Sequence, residues 1–248
     1  MRTALVTGAT SGIGRAAALA LGDAGWWVLA SGRDPERGAE VAAELAGRAG
    51  GEFAAADLAD DGAAERLVDR AVAATGRLDL VVYSAGTHFL ATAEGTDPDD
   101  YDRLMAVNLR GAVLLARAAV PAMRASGGGV IVNVSSEAGL VAVPGQVAYN
   151  VSKAGLLMLT RSIAVDHAGD SIRAVSVCPG TTRTPLVERA IASAPDPEAH
   201  ERWLASSRPA GRLGVPEEIA AAIVFAAGDQ ASFLTGSEIV VDGGYTAV

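Results

Sequence analysis

A tyrosine and a lysine four residues apart, Tyr149 and Lys153, are the residues of this sequence best suited to acid–base chemistry. On a helix this spacing places both side chains on one face. A free tyrosine has a pKa of about 10, and a neighbouring ammonium favours the phenolate, so the pair predicts a lowered Tyr149 pKa. Lys153 is the single lysine among 20 basic residues. This is typical of a position that needs a compact ammonium, although chance is the alternative.

Two serines precede this pair in the chain. Ser135 and Ser136 end a strand-like apolar run, 13–14 residues before Tyr149. A hydroxyl group at the end of a strand could hydrogen-bond the carbonyl oxygen of a substrate.

A glycine-rich segment, Thr7–Gly14, follows the first strand-like run and opens a helical stretch. Glycines let the backbone turn tightly and approach a pyrophosphate, and a helix N-terminus offers free N–H groups and a positive dipole end. The spacing Gly-x-x-x-Gly-x-Gly differs from the commoner dinucleotide fingerprint, Gly-x-Gly-x-x-Gly. Its strand–turn–helix context nevertheless predicts a dinucleotide site with contacts from Gly8, Ser11, Gly12, Ile13 and Gly14.

The end of the second strand indicates which dinucleotide is favoured. An acidic side chain there binds a free ribose 2′-hydroxyl, whereas an arginine accommodates a 2′-phosphate. The sequence has Ser31 at that position and Arg33 two residues later. We therefore expect NADP(H) in preference to NAD(H), which stays possible if Asp34 reaches a hydroxyl. After the third strand, Asp57 beside Leu58 either accepts from the adenine amino group or caps the next helix.

Strand-like and helical stretches alternate along the whole chain. Seven mostly apolar runs are typical of strands covered on both faces: Ala4–Thr7, Trp27–Ser31, Glu52–Ala56, Leu80–Tyr83, Val130–Val134, Ala174–Val177 and Glu238–Val241. Six stretches have helical spacing: Ile13–Ala24, Pro35–Ala49, Ala63–Thr75, Pro98–Ala125, Val147–Ala168 and Pro216–Ala227. The pattern predicts an α/β fold, a single Rossmann-type doubly wound parallel sheet with helices on both faces. Residues 1–248 form one domain, and the irregular stretch Thr181–Gly214 predicts a substrate lid at about 181–214.

Composition excludes several classes of function. The formal charge of −9 and the pI of about 4.8 argue against a nucleic-acid partner. The single cysteine, Cys178, excludes an internal disulfide and fits a reducing compartment. His88, His167 and His200 lack metal-ligand spacing, so no metal is expected and each is interpreted as a surface or packing residue. No apolar run reaches the ~18 residues of a membrane span, and the first one, Ala4–Val6, does not resemble a signal peptide, so we expect a cytoplasmic protein with no membrane partner.

Together these motifs resemble the short-chain dehydrogenase/reductase family, in the branch whose chains are about this length. The resemblance covers essentially the whole chain. Its motifs are Thr7–Gly14, Asp57, Asn108 in Met105–Asn108, Asn133–Ser136, Tyr149 with Lys153, Pro179-Gly180-x-x-x-Thr184 and the tail Leu234–Gly244. The spacing to Tyr149 matches Ser136, rather than Ser135, to the family's catalytic serine.

The resemblance implies an NAD(P)-dependent oxidoreductase that interconverts a secondary alcohol and a ketone by hydride transfer. Tyr149 would be the general acid or base, and Lys153 would lower its pKa and bind the nicotinamide ribose. Ser136 would hold the substrate oxygen, and Asn108 would position a water that relays protons. Further cofactor contacts would come from Leu58, Ser84, Ala85, Gly86, Tyr149, Pro179, Gly180, Thr182 and Thr184.

The sequence departs from the family pattern after the fourth strand. The family usually has Asn-Asn-Ala-Gly there, whereas this chain has Tyr83-Ser84-Ala85-Gly86. This chain therefore lacks the asparagine side chain that would give a bracing or ribose contact, and Ser84 is expected to replace it only in part.

The expected substrate is a small molecule whose class the sequence leaves open. The predicted pocket wall is largely apolar and contains Glu137, Leu140, Val141, Val143, Gln146 and the lid Leu186–Trp203. Arg183 and Arg189 either meet a substrate carboxylate or are solvated. The family implies a homotetramer or a dimer, with the helical stretches Pro98–Ala125 and Val147–Ala168 as subunit contacts or as sheet-packing helices.

Two other classes of function compete with this interpretation. One is a catalytically silent dinucleotide-binding regulatory protein, against which the complete set of Asn108, Ser136, Tyr149 and Lys153 argues. The other is a nicotinamide-dependent epimerase or dehydratase, whose family usually has longer chains and a different glycine spacing. Net formation or consumption of reduced cofactor would separate the oxidoreductase from both.

Overall fold

Seven parallel strands form one sheet in the computed structural model, which describes residues 1–248. The strands are β1 (Thr3–Thr7), β2 (Trp27–Gly32), β3 (Gly51–Ala55), β4 (Leu80–Tyr83), β5 (Gly129–Val134), β6 (Ile172–Pro179) and β7 (Ser237–Val241). Their order across the sheet is β3-β2-β1-β4-β5-β6-β7. The strand order reverses direction at β1, so a crevice opens between β1 and β4 at the carboxyl ends of the strands, where such sheets bind ligands.

The nine α-helices cover both faces of the sheet. They are α1 (Gly12–Asp23), α2 (Pro35–Ala46), α3 (Ala63–Thr75), α4 (Pro98–Met105), α5 (Gly111–Ala125), α6 (Val147–Asp166), α7 (Pro185–Ala192), α8 (Pro197–Ser206) and α9 (Pro216–Ala227). One apolar core joins the sheet to α1, α2 and α9, and a second joins the other face to α3, α5 and α6. The two cores confirm the predicted doubly wound fold, because the central strands β1, β4 and β5 each bury apolar side chains on both faces of the sheet.

The stretch Pro98–Ala125, expected as one helix, is interrupted by a wide π turn at Ala106–Arg110. Asn108 lies in this turn and is fully buried. The Tyr83 hydroxyl donates a hydrogen bond to the Val107 carbonyl of the same turn. Insertions of this kind re-aim side chains and are frequent at functional sites. The turn points Asn108 toward the carboxyl end of the sheet.

The segment Thr181–Gly214 is not irregular, as the sequence suggested, because it contains α7 and α8. Both helices begin with proline, which fits the first turn of a helix, where its missing N–H needs no partner. The side chains of Thr184 and Asp196 cap the two helices. The prolines thus start helices here instead of breaking them.

The helical region Pro98–Ala125 is long and apolar enough to cross a membrane by length and composition alone. Within the fold, 44% of its most apolar window is buried. The core helix of a globular protein satisfies the same criterion.

Candidate active site

The glycine turn between β1 and α1 packs tightly against the end of β4. Gly8 has a φ of +67°, and a Cβ atom there would lie 2.8 Å from the Ser84 carbonyl oxygen. Gly12 has a φ of +52°, and its Cβ would lie 3.1 Å from the Thr184 side chain. Gly14 is buried against the backbone of Gly8. Only glycines allow this close backbone packing.

The N-terminus of α1 is open toward the crevice. Ser11 precedes the helix in extended conformation, and its side chain makes no capping hydrogen bond. The first N–H groups of α1, which include those of Ile13 and Gly14, are therefore not capped by a side chain. A helix start with these features, next to a glycine turn, fits a dinucleotide diphosphate.

The end of β2 presents a cation. The Arg33 side chain is 62% exposed, and its guanidinium lies 3.9 Å from the carboxylate of Asp57. Asp57 also accepts a hydrogen bond from the N–H of Ala59 at 3.0 Å, so it caps its own turn, while the adjacent Leu58 is buried. Both alternatives for Asp57 therefore remain compatible with its position.

Asp34 is occupied by its own helix. Its carboxylate accepts from the backbone N–H groups of Glu36 and Arg37 and from the Arg37 guanidinium at 2.6 Å. These hydrogen bonds, chiefly those from Arg37, lower the pKa of Asp34. The carboxylate caps α2 and is not free to meet a ribose hydroxyl, so the option for NAD(H) that relied on it loses its support.

Thr7 holds the end of β4 beside the glycine turn. Its hydroxyl accepts hydrogen bonds from the N–H groups of Ser84 and Ala85, at 3.1 Å and 3.3 Å. The next residue, Gly86, is exposed, and a Cβ atom there would lie 3.6 Å from Asn108 Oδ1 and 3.7 Å from Lys153 Nζ. The structure therefore brings the β4 end, Asn108 and Lys153 to one place.

Asn108 is held by three hydrogen bonds. Its Oδ1 accepts from the N–H of Thr87 at 2.8 Å, and its Nδ2 donates to the Thr87 carbonyl at 2.9 Å and to the Ser152 hydroxyl at 3.2 Å. The side chain is thereby fixed between the β4 loop and α6. At the position of the absent family asparagine, the Tyr83 phenol ties the end of β4 to the π turn by its hydrogen bond to the Val107 carbonyl.

Lys153 lies in the interior beside the end of β5. It is 5% exposed, and its ammonium donates a hydrogen bond to the Val134 carbonyl at 2.9 Å. Burial lowers the pKa of Lys153 to about 8. Its Nζ lies 5.5 Å from the centre of the Tyr149 ring, so the two side chains share one side of α6, as the spacing predicted.

The expectation that the ammonium lowers the Tyr149 pKa is wrong for the protein by itself. The phenol is surrounded largely by protein, and this desolvation raises the pKa of Tyr149 to about 12, with the Ser136 hydroxyl opposing the shift. The Lys153 ammonium, which donates to the Val134 carbonyl, does not offset this rise. The resting form of Tyr149 at neutral pH is thus the neutral phenol, a proton donor.

The two serines after β5 have different environments. Ser135 is buried and donates to the Lys153 carbonyl at 2.8 Å, which ties β5 to α6. Ser136 begins a short 3₁₀ turn, Glu137–Gly139, and its Oγ accepts from the N–H of Ala138 at 3.1 Å. Ser136 is the serine whose hydroxyl lies beside the Tyr149 phenol.

The segment after β6 completes the edge of the crevice. Pro179 ends β6, and Thr182 is buried with its hydroxyl donating to the Gly180 carbonyl at 2.9 Å. Thr184 caps α7 and lies against Gly12 of the glycine turn. The segments predicted to hold the diphosphate and the nicotinamide end of a dinucleotide therefore meet in the fold.

Some predicted pocket residues have other partners. Glu137 is 6% exposed and pairs with Arg208 at 2.6 Å, so it lies under the pocket instead of forming its wall. Arg183 forms an ion pair with Glu201 of α8. Arg189, Leu140 and Val141 are exposed. Gln146 lies near the His88 side chain, and Val143 accepts from Asn150 at 3.0 Å.

Sequence reasoning missed His88 and Arg208. The His88 ring packs edge-on against the Tyr149 ring, with centroids 4.9 Å apart, and burial lowers the pKa of His88 so that it is neutral at pH 7. Its position two residues after Gly86, at the carboxyl end of a central strand, was the available signal. Arg208 gave no such signal, because it is 71 residues from Glu137 in the chain.

Comparisons with known proteins agree with this geometry. The sequence model of the family described as enoyl-(acyl carrier protein) reductase matches residues 8–246. An uncharacterized oxidoreductase of Thermotoga maritima is 47% identical over 100% of this chain and 98% of its own. The 2-(R)-hydroxypropyl-CoM dehydrogenase of Xanthobacter autotrophicus is 40% identical over 100% of this chain and 99% of its own length. A solved structure described as a short chain dehydrogenase/reductase family protein superimposes with a TM-score of 0.88 at 37% identity, covering 100% of this chain and 98% of its own.

Proposed function

This chain belongs to the short-chain dehydrogenase/reductase family, and from that membership we propose that it is an NAD(P)-dependent dehydrogenase that interconverts a secondary alcohol and a ketone. The observation that carries the proposal is the convergence of Asn108, Ser136, Tyr149 and Lys153 beside the glycine turn. The name of the Xanthobacter relative, a dehydrogenase of a 2-hydroxypropyl compound, supports a secondary alcohol as substrate.

Each of the four side chains has a task that its surroundings suit. Tyr149, a neutral phenol at pH 7, gives its proton to the carbonyl oxygen in reduction and accepts it in oxidation. Ser136 donates a hydrogen bond to that oxygen. From its fixed position beside Gly86, Asn108 would position a water that relays protons between the phenol and solvent through Lys153. When bound, the nicotinamide cofactor donates or accepts the hydride.

Residues around the crevice would hold the cofactor in this proposal. The N-terminus of α1 would hold the diphosphate through Gly8, Ser11, Gly12, Ile13 and Gly14. Asp57 and Leu58 would contact the adenine end, and the nicotinamide end would be held by Ser84, Ala85, Gly86, Tyr149, Lys153, Pro179, Gly180, Thr182 and Thr184. The cradle formed by Gly8, Gly12 and Gly14 suits such a ligand because β-carbons there would meet neighbouring atoms.

NADP(H) is favoured over NAD(H) in this proposal. The exposed Arg33 guanidinium can meet a 2′-phosphate, and the β2 end carries the buried Ser31 instead of a carboxylate. Asp57 lies 3.9 Å from Arg33 and keeps it near the adenine region in the free protein.

The α7–α8 segment covers the substrate side of the crevice in this proposal. Its surface offers apolar contacts through Leu186 and Trp203, which are 43% and 61% exposed. Because Arg183 already forms an ion pair with Glu201, its charge is not available to bind a substrate carboxylate. We therefore favour an uncharged ketone or alcohol at this side of the pocket.

A homotetramer, or a dimer, is part of the proposal. The α5 and α6 surfaces expose Val113, Val151, Met158 and Val165, and the β7 side exposes Phe225, Phe233 and Val240. Two separate apolar surfaces of this kind suit two different subunit contacts. Sedimentation velocity measures the mass directly. We also expect a cytoplasmic enzyme with no nucleic-acid partner, given the charge of −9 and the single cysteine.

A panel of ketones and secondary alcohols, assayed with NADPH, NADH, NADP⁺ and NAD⁺, tests the proposal. Absorbance of the reduced nicotinamide should change stoichiometrically with substrate for at least one pair. A catalytically silent protein would bind the cofactor with no turnover. An epimerase or dehydratase would convert its substrate with no net change in reduced cofactor. Either result overturns the proposed oxidoreductase.

A further inference from the structure

One ion pair of the fold has both side chains in the interior. The Arg208 guanidinium donates to Glu137 Oε1 at 2.6 Å, and the side chains are 3% and 8% exposed. Every other ion pair has at least one side chain that is 25% or more exposed. Glu137 directly follows Ser136 in the chain, so the pair lies immediately beneath the proposed active site.

Stability does not explain why this pair is present. Taking two charges out of water costs more than their attraction returns unless every polar atom finds a partner. Here Glu137 Oε2 and Arg208 Nε have no hydrogen-bond partner. Burial raises the pKa of Glu137 to about 7 even though Arg208 favours its charged form. Two apolar side chains of similar size would stabilise the fold equally well or better.

The pair instead connects parts of the protein that are distant in the chain. Arg208 also donates to the Leu204 carbonyl at the end of α8, at 2.6 Å, and to the Thr181 hydroxyl after β6. Its guanidinium lies 5.0 Å from the ring centre of Tyr245 near the C-terminus. One side chain thus joins the end of the α7–α8 segment to the turn that follows Ser136.

The turn at Glu137 transmits its position to Ser136. The Glu137 carbonyl accepts from the N–H groups of Leu140 and Val141, at 2.9 Å and 3.0 Å, and the Ser136 Oγ accepts from Ala138. A Cβ atom on Gly180 would lie 2.7 Å from Glu137 Oε2, so the carboxylate is also held against the segment after β6. The Glu137 carboxylate, anchored by Arg208, and the Ser136 hydroxyl thus lie on adjacent residues of one hydrogen-bonded turn.

We propose that Glu137 and Arg208 are positioning residues that couple the placement of the α7–α8 segment to the placement of the Ser136 hydroxyl. The inference rests on the proposed function, because Ser136 matters to catalysis only in such an enzyme. When α8 is docked, Arg208 holds Glu137, and Ser136 faces the Tyr149 phenol. When α8 moves away, the Ser136 turn loses its anchor, and the substrate oxygen loses its second hydrogen-bond donor.

Three variants separate positioning from simple folding. Glu137→Gln removes the charge but keeps the shape, Arg208→Met removes the guanidinium, and Glu137→Met with Arg208→Met replaces the whole pair by apolar side chains. We expect the double variant to fold and to melt within about 5 °C of the unmodified protein, because removal of the incompletely paired charges offsets the loss of the Arg208 hydrogen bonds to Leu204 and Thr181. Its kcat should still be at least about 10-fold lower, since a small displacement of a catalytic group costs up to about 100-fold. The dissociation constant of NADPH should change by less than about twofold.

Amide hydrogen exchange gives a readout that does not depend on turnover. Arg208→Met should speed the exchange of the Leu140 and Val141 amides together with that of the amides at the end of α8. Arg70→Gln, which breaks the exposed pair with Glu52 at the far end of β3, is the control and should change neither exchange nor kcat.

A double methionine variant with unmodified kcat overturns the proposal, as does unchanged exchange at Leu140 and Val141 in Arg208→Met. If the unmodified protein turns over no ketone or alcohol, the proposed function fails, whereas the exchange experiment still decides whether the two segments are coupled. If a single variant fails to fold, the double variant decides the question.

Discussion

Replacing Tyr149 by phenylalanine removes one oxygen atom from the centre of the proposed site. The ring keeps its edge-on contact with His88 at 4.9 Å, and Ser136 keeps its hydrogen bond from the Ala138 N–H. The Ser136 hydroxyl loses its contact with the phenol oxygen but keeps the Ala138 N–H as a partner. We therefore expect the melting temperature to change by less than about 3 °C and cofactor affinity to be nearly unchanged.

The effect on catalysis should be much larger. A positioned general acid or base typically contributes about 10²–10⁴-fold to the rate. Turnover should accordingly fall at least about 100-fold, which corresponds to about 2.7 kcal/mol of transition-state stabilisation. Lys153 and Ser136 cannot replace the phenol, because Lys153 is bound to the Val134 carbonyl and a serine hydroxyl is a far weaker acid.

The pH dependence gives a second signature. With the pKa of Tyr149 raised to about 12, the phenol is protonated at neutral pH and ready to donate in reduction. Oxidation needs the deprotonated form, whose fraction rises about tenfold per pH unit below the pKa. In the unmodified protein, alcohol oxidation should therefore rise with pH, and Tyr149→Phe should lose this rise.

Steady-state assays that follow reduced nicotinamide from pH 6 to 10 measure both effects. Tyr101→Phe, on α4, is the matched control for loss of a phenol hydroxyl and should retain activity. A Tyr149→Phe variant with more than about a tenth of the original turnover would falsify the assignment of the phenol.

Four further outcomes are expected. Arg33→Ala should weaken the binding of NADPH more than that of NADH in a fluorescence titration. An equal loss of affinity for both cofactors would contradict the proposed preference for NADP(H). Gly14→Ala should lower the melting temperature and abolish cofactor binding, because its methyl group would overlap the glycine turn, and normal binding would contradict the diphosphate cradle. Tyr83→Phe should cost about 1–2 kcal/mol in urea unfolding by leaving the Val107 carbonyl without its phenol partner, and no loss would remove the bracing role. Glu218 has a pKa of about 2 in the fold against an ordinary 4.5, mainly through its hydrogen bond from Arg212, so its contribution to stability is present above pH 4.5 and lost as the pH falls toward 2. Melting curves of Glu218→Gln should show a smaller loss over that range.

Local sequence patterns predicted the strands of the sheet and several of the candidate site residues. The apolar runs gave seven strands within one or two residues of their bounds, because strands covered on both faces have few polar positions. Tyr149 and Lys153 shared one side of α6 because helical spacing fixes that geometry. Gly8, Gly12 and Gly14 formed a tight turn because other residues could not.

Features that depend on contacts between distant segments were not predictable in this way. The Arg208 partner of Glu137 and the edge contact of His88 with Tyr149 come from folding, not from spacing along the chain. The π turn that contains Asn108 breaks a stretch whose apolar periodicity indicated one helix. The helices α7 and α8 lie in a stretch that the sequence indicated as irregular, because a proline at a helix start is identified only together with the capping residue before it. The Tyr149 pKa was expected to fall because the sequence showed the ammonium but not the extent of burial.

The single, interior lysine makes this protein unusual toward acylating reagents. Succinimidyl esters attack unprotonated amines, and in most proteins surface lysines consume the reagent first. Here the only side-chain amine is 5% exposed, and its pKa of about 8 leaves an appreciable unprotonated fraction near pH 7. The rate of Lys153 acylation would therefore measure how accessible the cleft is to a small molecule, and a bound cofactor would lower that rate.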